Sequence, residues 1–307
     1  MKHDTAGDPM TGLKWTRRTT TKIATELRSL GIEASARTVA RLLKKMDFSL
    51  RVNHKKLSTG PKKSCEQRDA QFTRIAEVRE RFAAKGNPVI SVDTKKKEKV
   101  GRFKNPGVAW NREPIEVNDH DFPSDAIGRA IPYGVHDLQA NRGTVFVGTS
   151  CDTPDFAVAS VEKWWRTEGR QRYPDATQLA ILADGGGSNG HRCRAWKYGL
   201  QQQLCDRHGL TVTVAHYPPG ASKWNPIERR LFSQITKNWE GRPLDSYDAV
   251  INYIRTTKTA TGLRVRAHLV RKRYRKGVKI ADAQMEELCI TKDESLPKWN
   301  YTLSPSS

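Results

Sequence analysis

Two apolar runs in this chain each end on an aspartate. Asp93 closes PVISV, and Asp184 follows LAIL and one alanine. A third acid, Glu228, lies three residues past Asn225 in the phrase SKWNPIERRLFSQITKNW, whose periodicity is helical. In open α/β sheets, ligand sites gather outside the carboxyl ends of the strands, so an acid at a strand end points out of the sheet edge rather than into the core. Three carboxylates brought together from two strand ends and one helix form an oxygen-only site of the kind Mg²⁺ or Mn²⁺ prefers. Without a cation they repel one another and resist ionising together. Two such ions about 4 Å apart can clamp the attacking and leaving oxygens of a phosphodiester. Glu228 also has a purely structural reading. With Asn225 as N-cap and Pro226 at the first helical position, a glutamate at the third completes a capping box. On the residues alone both roles stand, and they are compatible.

The elements that must position these acids follow from the surrounding text. After Asp184, Gly185, Gly186 and Gly187 allow a sharp turn that keeps side chains away from a bound polyanion, with Ser188 and Asn189 as caps for the next helix. LTVTVAHY and GTVFVGTS read as strands, and TPDFAVASVEKWWRTEGRQRYP reads as a helix with Pro154 near its start and Trp164 and Trp165 packed on a sheet. Beyond Asp93, TKKKEKVGRFKNPG reads as a hairpin with Lys95, Lys96 and Lys97 at its tip, placed to hold a scissile strand or simply to solvate a turn. Glu113, Glu116, Asp119, Asp121 and Asp137 are rival carboxylates, but none follows a clear strand end.

Residues 1–18 are polar and expected to be loose. From Thr19 the pattern gives one helix with Ile23, Leu27 and Leu30 on a face, a stop at Gly31, and a second helix opened by Ser35 and carrying Val39, Leu42, Leu43 and Met46. That is a helix-turn-helix pattern, with Arg37, Thr38, Arg41 and Lys44 on the outer side of the second helix as a major-groove reader needs. An ordinary helical hairpin with solvated cations is the competing reading. A basic connector follows, then a charged helix with Phe72, Ile75, Val78 and Phe82 inward; residues 51–90 hold ten Lys or Arg against four Asp or Glu. The boundary between reader and core is expected near Gly60 to Ser64. Residues 255–279 carry ten Lys or Arg and no acid, and Arg271, Lys272, Arg273 and Arg275 are its densest cluster. A merely solvated face fits poorly where nothing offsets so many like charges.

Composition agrees with a polyanion partner. Over 307 residues the net charge is +21 and the pI about 9.9, and each cation set on a phosphate releases a counterion. A ribosome-like or merely solubilising surface would carry the same charge. No run of eighteen apolar residues suggests a membrane span, and no signal peptide is expected. Five scattered cysteines suit reduced thiols in a cytoplasm. Cys205 and His208 have ligand-like spacing but lack a second pair, so Cys205 is expected to be packed on a helix.

Several phrases together resemble the Rhodopirellula-type DDE transposases of bacterial insertion sequences: VDTKKKEKVGRFKNPG, IPYGVHDLQANRGTVFVG, DGGGSNGHRCRAWK, HYPPGASKWNPIERRLFSQITKNWEGRPL and PKWNYTLSP. The resemblance spans about residues 8–303. It departs from the family pattern at Ala221, where Thr is usual, and at Pro226 and Arg229, where Lys and His are. It implies an α/β, RNase H-like catalytic core with an N-terminal helix-turn-helix domain, with Asp93, Asp184 and Glu228 as catalytic and metal-binding triad. The implied cofactor is Mg²⁺ or Mn²⁺, two ions, and the implied partner is double-stranded DNA at element ends and target, bound by a homodimer or higher synaptic assembly in the bacterial cytoplasm or nucleoid. Lys223, in the phrase that leads to Glu228, joins the DNA-contacting candidates. The expected organisation is a loose segment 1–18, a helix-turn-helix domain 19–60, a basic linker and helix 61–87, the catalytic core 88–245 and a basic DNA-contacting segment 246–307. The activity implied is metal-dependent cleavage followed by strand transfer. A nuclease on the same fold that cuts without joining, and an inactive or domesticated DNA-binding protein, are the alternatives.

Overall fold

The computed structural model describes residues 19–46, 48, 66–221 and 224–306 in full, and residues 5–7, 14–16 and 63–65 as backbone. Lys223 and the basic connector at 51–62 lie outside the described residues. The chain divides into two compact units, Met1–Gly60 and Pro61–Ser307.

The smaller unit holds a two-stranded antiparallel ribbon, β1 (Thr5–Gly7) with β2 (Lys14–Thr16), in a segment whose sequence suggested no structure. Two helices follow. Helix α1 (Thr20–Ser29) is capped by Thr19, whose hydroxyl accepts from Lys22 N–H, and α2 (Ala36–Lys45) by Ser35, whose hydroxyl accepts from Thr38 N–H. Gly31, at φ +76°, makes the turn between them. Ile23, Ala24 and Val39 form their buried contact, with Leu27, Ala34 and Leu43 packed alongside. Leu30, Leu42 and Met46 do not join it and lie exposed, contrary to the periodicity. Two helices crossing at one point bury a narrower stripe than a helix on a sheet does, so residues at the flank of the apolar face stay out.

The larger unit is built on a nine-stranded mixed sheet. Its centre comprises β3 (Val89–Thr94), β5 (Gly128–Asp137), β6 (Arg142–Gly148), β7 (Gln178–Ala183) and β8 (Thr211–His216). They lie in the order β6-β5-β3-β7-β8: β5 is antiparallel to β3 and to β6, while β7 and β8 run parallel to β3. That is the order expected of an RNase H-like core. Both faces are covered, so the strands read as nearly unbroken apolar runs. On one face, Ile90, Val92, Tyr133, Phe146 and Ile181 pack under α4 (Pro154–Trp164) and α6 (Arg194–Leu200). Thr153 caps α4 through its hydroxyl, and α4 runs through a wide π turn at Trp165–Gly169 into α5 (Arg170–Arg172). Trp164 and Trp165 are buried there, as their sequence suggested.

The other face packs under α3 (Lys63–Ala84), which buries Ile75, Val78 and Phe82 against Val89, Ala180 and Leu182. Beside α3 lie the helix that starts at Pro226 and α8 (Tyr247–Arg255). The former passes through a π turn at Glu228–Phe232 into α7 (Ser233–Trp239). Thus α3 belongs to the sheet unit rather than to a connector.

Two expectations fail here. The segment after Asp93 is no hairpin: β4 (Glu98–Val100) pairs with β5, as β3 does, so the chain continues along the same neighbour instead of folding back on β3. The core does not end at 245, because the C-terminal region adds strands to the sheet. Strand β9 (Arg264–Val270) extends the sheet parallel to β6, and after the short helix α9 (Asp282–Glu286), β10 (Ile290–Lys292) and β11 (Asn300–Leu303) extend it beyond β8. Alternation in RVRAHLV is a half-buried strand's, which the density of cations obscured. Among the described residues no helix is long and apolar enough to cross a membrane.

Candidate active site

The register brings the acids to one edge. Asp93 lies next to last in β3, and Val92 pairs with Ala183, the residue before Asp184, so the two parallel strands deliver their aspartates at the same level. Residues alternate faces along a strand, so Asp93 shares with Val89 and Ser91 the face covered by the Glu228 helix. That helix comes close because Gly134, the residue paired with Asp93 on β5, has no side chain. A Cβ there would stand 2.8 Å from Ile227 Cδ1 and 2.6 Å from Phe232 Cε1. Asp93, Asp184, Asp152, Gly186, Gly187 and Ser188 line an open cleft of about 540 Å³.

Backbone and buried side chains fix Asp184. The neutral His216 Nδ1–H donates to the Asp184 carbonyl at 3.0 Å, and His191 Nδ1–H donates to the Gly185 carbonyl at 2.7 Å. Burial lowers the His216 pKa to about 3, against the opposing pull of this hydrogen bond. Gly187 turns the chain at φ +73°. Ser188 and Asn189 do not cap the next helix; they form a short 3-10 turn, and the Asn189 amide reaches the Val92 carbonyl instead.

The Asn225 side chain likewise does not cap its helix. Its amide nitrogen donates to Asp184 Oδ1 at 3.0 Å, while its oxygen accepts from the Ser91 hydroxyl. Ser91 Oγ in turn accepts from Ile227 N–H at 3.2 Å, doing the capping from a neighbouring strand. The capping box around Glu228 is therefore incomplete, because the cap residue's side chain is engaged elsewhere.

Electrostatics at the edge are those of crowded acids. Burial first, then Asp184, pushes Asp93 up to about 8, with Glu228 and Asp152 adding to the shift. Burial and then Asp184 also raise Glu228, and burial raises Asp184. Lys95 partly offsets this at Glu228. It is not an exposed tip residue: it is buried, ion-paired to Glu98 at 3.1 Å and set 4.5 Å from the Trp239 ring centroid, and burial lowers its pKa. Among the described residues no three His, Cys, Asp or Glu side chains are gathered as a ready-made metal shell. The donor chemistry nonetheless fits a hard divalent cation, which would relieve the repulsion that holds these acids up. Two orphaned groups at the same edge, Ser188 Oγ and Tyr133 OH, are buried without a hydrogen-bond partner.

Of the other candidates, Lys96 is exposed and Lys97 is ion-paired to Asp152 at 3.2 Å. Asp152, four residues past β6, also accepts from the Thr94 hydroxyl at 3.1 Å; it is a fourth acid whose place after a strand could have been noticed. Asp137 lies at the opposite end of β3, buried and paired with Arg172 at 2.6 Å and with Tyr173 OH. Glu113, Glu116, Asp119 and Asp121 are exposed. Cys205 is fully buried, and His208 faces Glu162 rather than a metal partner. In the smaller unit Arg37, Arg41 and Lys44 are exposed, while Thr38 is half-buried and its hydroxyl is engaged with Ser35.

The Asp93 shift has a consequence for stability. Between its ordinary value of 3.8 and about 8, the folded chain keeps a proton that the unfolded chain has released. Stability without metal therefore falls as pH rises through that window. Asp93→Asn removes this loss. In chelator, its melting temperature should exceed wild type by a margin that widens from pH 5 to pH 8 and then levels off. A margin independent of pH would mean that Asp93 ionises freely.

Comparison with known proteins adds the family. A family model described as the Rhodopirellula transposase DDE domain matches residues 1–305. Solved structures similar to this chain include a Mos1 transposase paired-end complex with the left transposon end, at 14% identity and TM-score 0.47 over 77% of this chain and 65% of that one. A Mos1 strand transfer complex follows at 15% identity and TM-score 0.45, over 77% and 64%. The chain thus spans just under two thirds of the Mos1 chain, and this likeness is too loose to carry a functional argument. No curated protein matches. The match over almost the whole length shows that the chain belongs to the DDE transposase family described as Rhodopirellula-type.

Proposed function

We propose that the chain cuts and joins DNA at the ends of its own element, using Asp93, Asp184 and Glu228 to hold two divalent cations, Mg²⁺ or Mn²⁺. The observation that carries this reading is the delivery of three mutually repelling carboxylates to one sheet edge beside an open cleft. When bound, the cations lower the pKa of water, so that it can attack a phosphodiester, and neutralise the charge that develops on the phosphate. The chain's own part is positioning, with no covalent enzyme intermediate. His216 and His191 fix the backbone beside Asp184, Gly134 lets the Glu228 helix approach, and buried Lys95 tempers the charge at Glu228.

The basic segment supports a DNA substrate through its position. Strand β9 ends at Val270, paired with Gly148, at the acidic edge of the sheet. The strap that leaves it is pinned: Ser150 Oγ donates to the Lys272 carbonyl at 3.3 Å and accepts from Tyr274 N–H at 3.3 Å, and Tyr274 packs 5.4 Å from Phe156. Arg271, Lys272, Arg273 and Arg275 project from it exposed, as phosphate contacts must. In the smaller unit, α2 is the proposed major-groove reader, through Arg37, Arg41 and Lys44.

The test is incubation of the chain with Mg²⁺ and a labelled duplex carrying the element's end. The reading expects a cut that leaves a 3′-hydroxyl and is abolished by chelator; no cut, or a cut unaffected by chelator, would overturn it. The glycine turn gives a second result. Gly187 needs its positive φ, but Gly186 has φ −126° and open space where a Cβ would go. Gly186→Ala should fold with stability unchanged or raised by about 0.4–1 kcal/mol. Because a methyl there enters the cleft beside Asp184, cleavage should fall by up to about a hundredfold, the order that a 1 Å misplacement costs. Wild-type turnover in that variant would make the turn scaffolding.

A further inference from the structure

One buried amide joins all three acid-bearing elements. Asn225 lies three residues before Glu228, its oxygen accepts from Ser91, two residues before Asp93, and its nitrogen donates to Asp184 Oδ1 at 3.0 Å. Ser91 and Asn225 are both fully buried. The orientation of the amide is set by a chain of donors. Ile227 N–H uses Ser91 Oγ as acceptor, which leaves the hydroxyl proton for Asn225 Oδ1 and turns the NH₂ group toward Asp184. We propose that Asn225, oriented by Ser91, is a positioning residue that sets the Asp184 carboxylate for metal binding and ties it to the Glu228 helix.

An aspartate at a strand end has a rotatable side chain, and neighbouring acids push it away. Asn225 restrains one carboxylate oxygen with a neutral donor and makes no claim on Oδ2. Substituting such an outer partner of a metal ligand costs about 10–100-fold in metal affinity or activity. Ser91 contributes at one remove: without its hydroxyl the Ile227 N–H is an orphan donor and the amide is free to turn over. The proposal rests on the reading of the three acids as metal ligands, so the test separates the two.

The experiment is a Mn²⁺ titration of the full chain, without DNA, followed by the electron paramagnetic resonance of free Mn²⁺ and by the melting temperature. Wild type should bind Mn²⁺, and Asp184→Asn should weaken that binding. Asn225→Ala and Ser91→Ala should each raise the half-saturating Mn²⁺ concentration, by about tenfold or more for Asn225→Ala. Ser91→Thr keeps the hydroxyl and should restore wild-type affinity. In an Asp184→Asn background, Asn225→Ala should add no further loss, because its effect passes through that carboxylate. Metal-free binding to DNA should be unchanged throughout. A folded Asn225→Ala or Ser91→Ala chain with wild-type half-saturation, whatever its melting temperature, would overturn the positioning role; the two variants are independent, so one that folds suffices. A wild-type chain that binds no Mn²⁺ would instead overturn the metal reading on which the role depends.

Discussion

Asp184→Asn is expected to reduce cleavage and joining by at least about a thousandfold while leaving metal-free binding to the element end nearly intact. Asp93→Asn and Glu228→Gln should do the same. The magnitude follows from the chemistry: stabilising charge on a transferring phosphate by a bound cation is worth several kcal/mol, and each 1.36 kcal/mol is tenfold in rate. Each amide keeps the shape of the side chain and removes the charge that holds the cation. Binding should survive because the exposed cations of α2 and of the strap at 271–275 are other residues. The variants should also be no less stable than wild type without metal, since burial penalises all three charged forms and the neighbouring acids add to this at Asp93 and Glu228. Rates are measured on labelled end duplex in Mg²⁺, and binding by mobility shift in chelator. Full activity in Glu228→Gln would return that residue to a structural part.

The second large effect separates reading from holding. Arg41→Ala, on the exposed side of α2, should cost about 1–3 kcal/mol at the element end and much less on random duplex, as loss of a base contact does. Replacing Arg271, Lys272, Arg273 and Arg275 together should weaken both alike. If each neutralises one phosphate, the slope of log affinity against log salt should fall in magnitude by about 3 to 4, at about 0.9 per contact. Binding isotherms on both duplexes at several salt concentrations give both quantities. Equal discrimination losses from the two sets would remove the helix-turn-helix role from α2.

Much of the catalytic edge could be read from the sequence, for a physical reason. PVISV and LAIL are buried on both faces, and such strands leave an unambiguous apolar signal with the acid as the next polar residue. Glu228 was harder, because the same spacing serves a cap and a catalytic acid. What takes the Asn225 side chain away from the cap is a contact 134 residues away in the chain, with Ser91, which no local pattern contains. Lys95 departs from its local pattern for the same reason: three successive lysines look like a solvated turn, but Trp239 and Glu98 draw the first of them inward. The basic C-terminal stretch hid a strand, since Arg264 and Arg266 alternate with buried Val265 and Ala267 and their charge dominated the reading. Asp152 escapes the strand-end pattern because it follows its strand by four residues rather than one.

The most direct measurement is of joining. Purified chain, Mg²⁺, a labelled duplex ending in the element's own terminal sequence and a supercoiled target plasmid are incubated, and label covalently attached to the plasmid is counted. The account predicts attached label in wild type, none in chelator, and none in Asp93→Asn, Asp184→Asn or Glu228→Gln chains that still bind the end. Cut ends without attached label would make the chain a nuclease that does not join. Attached label in any one of the three amide variants would contradict the assignment of the acids to the metal site.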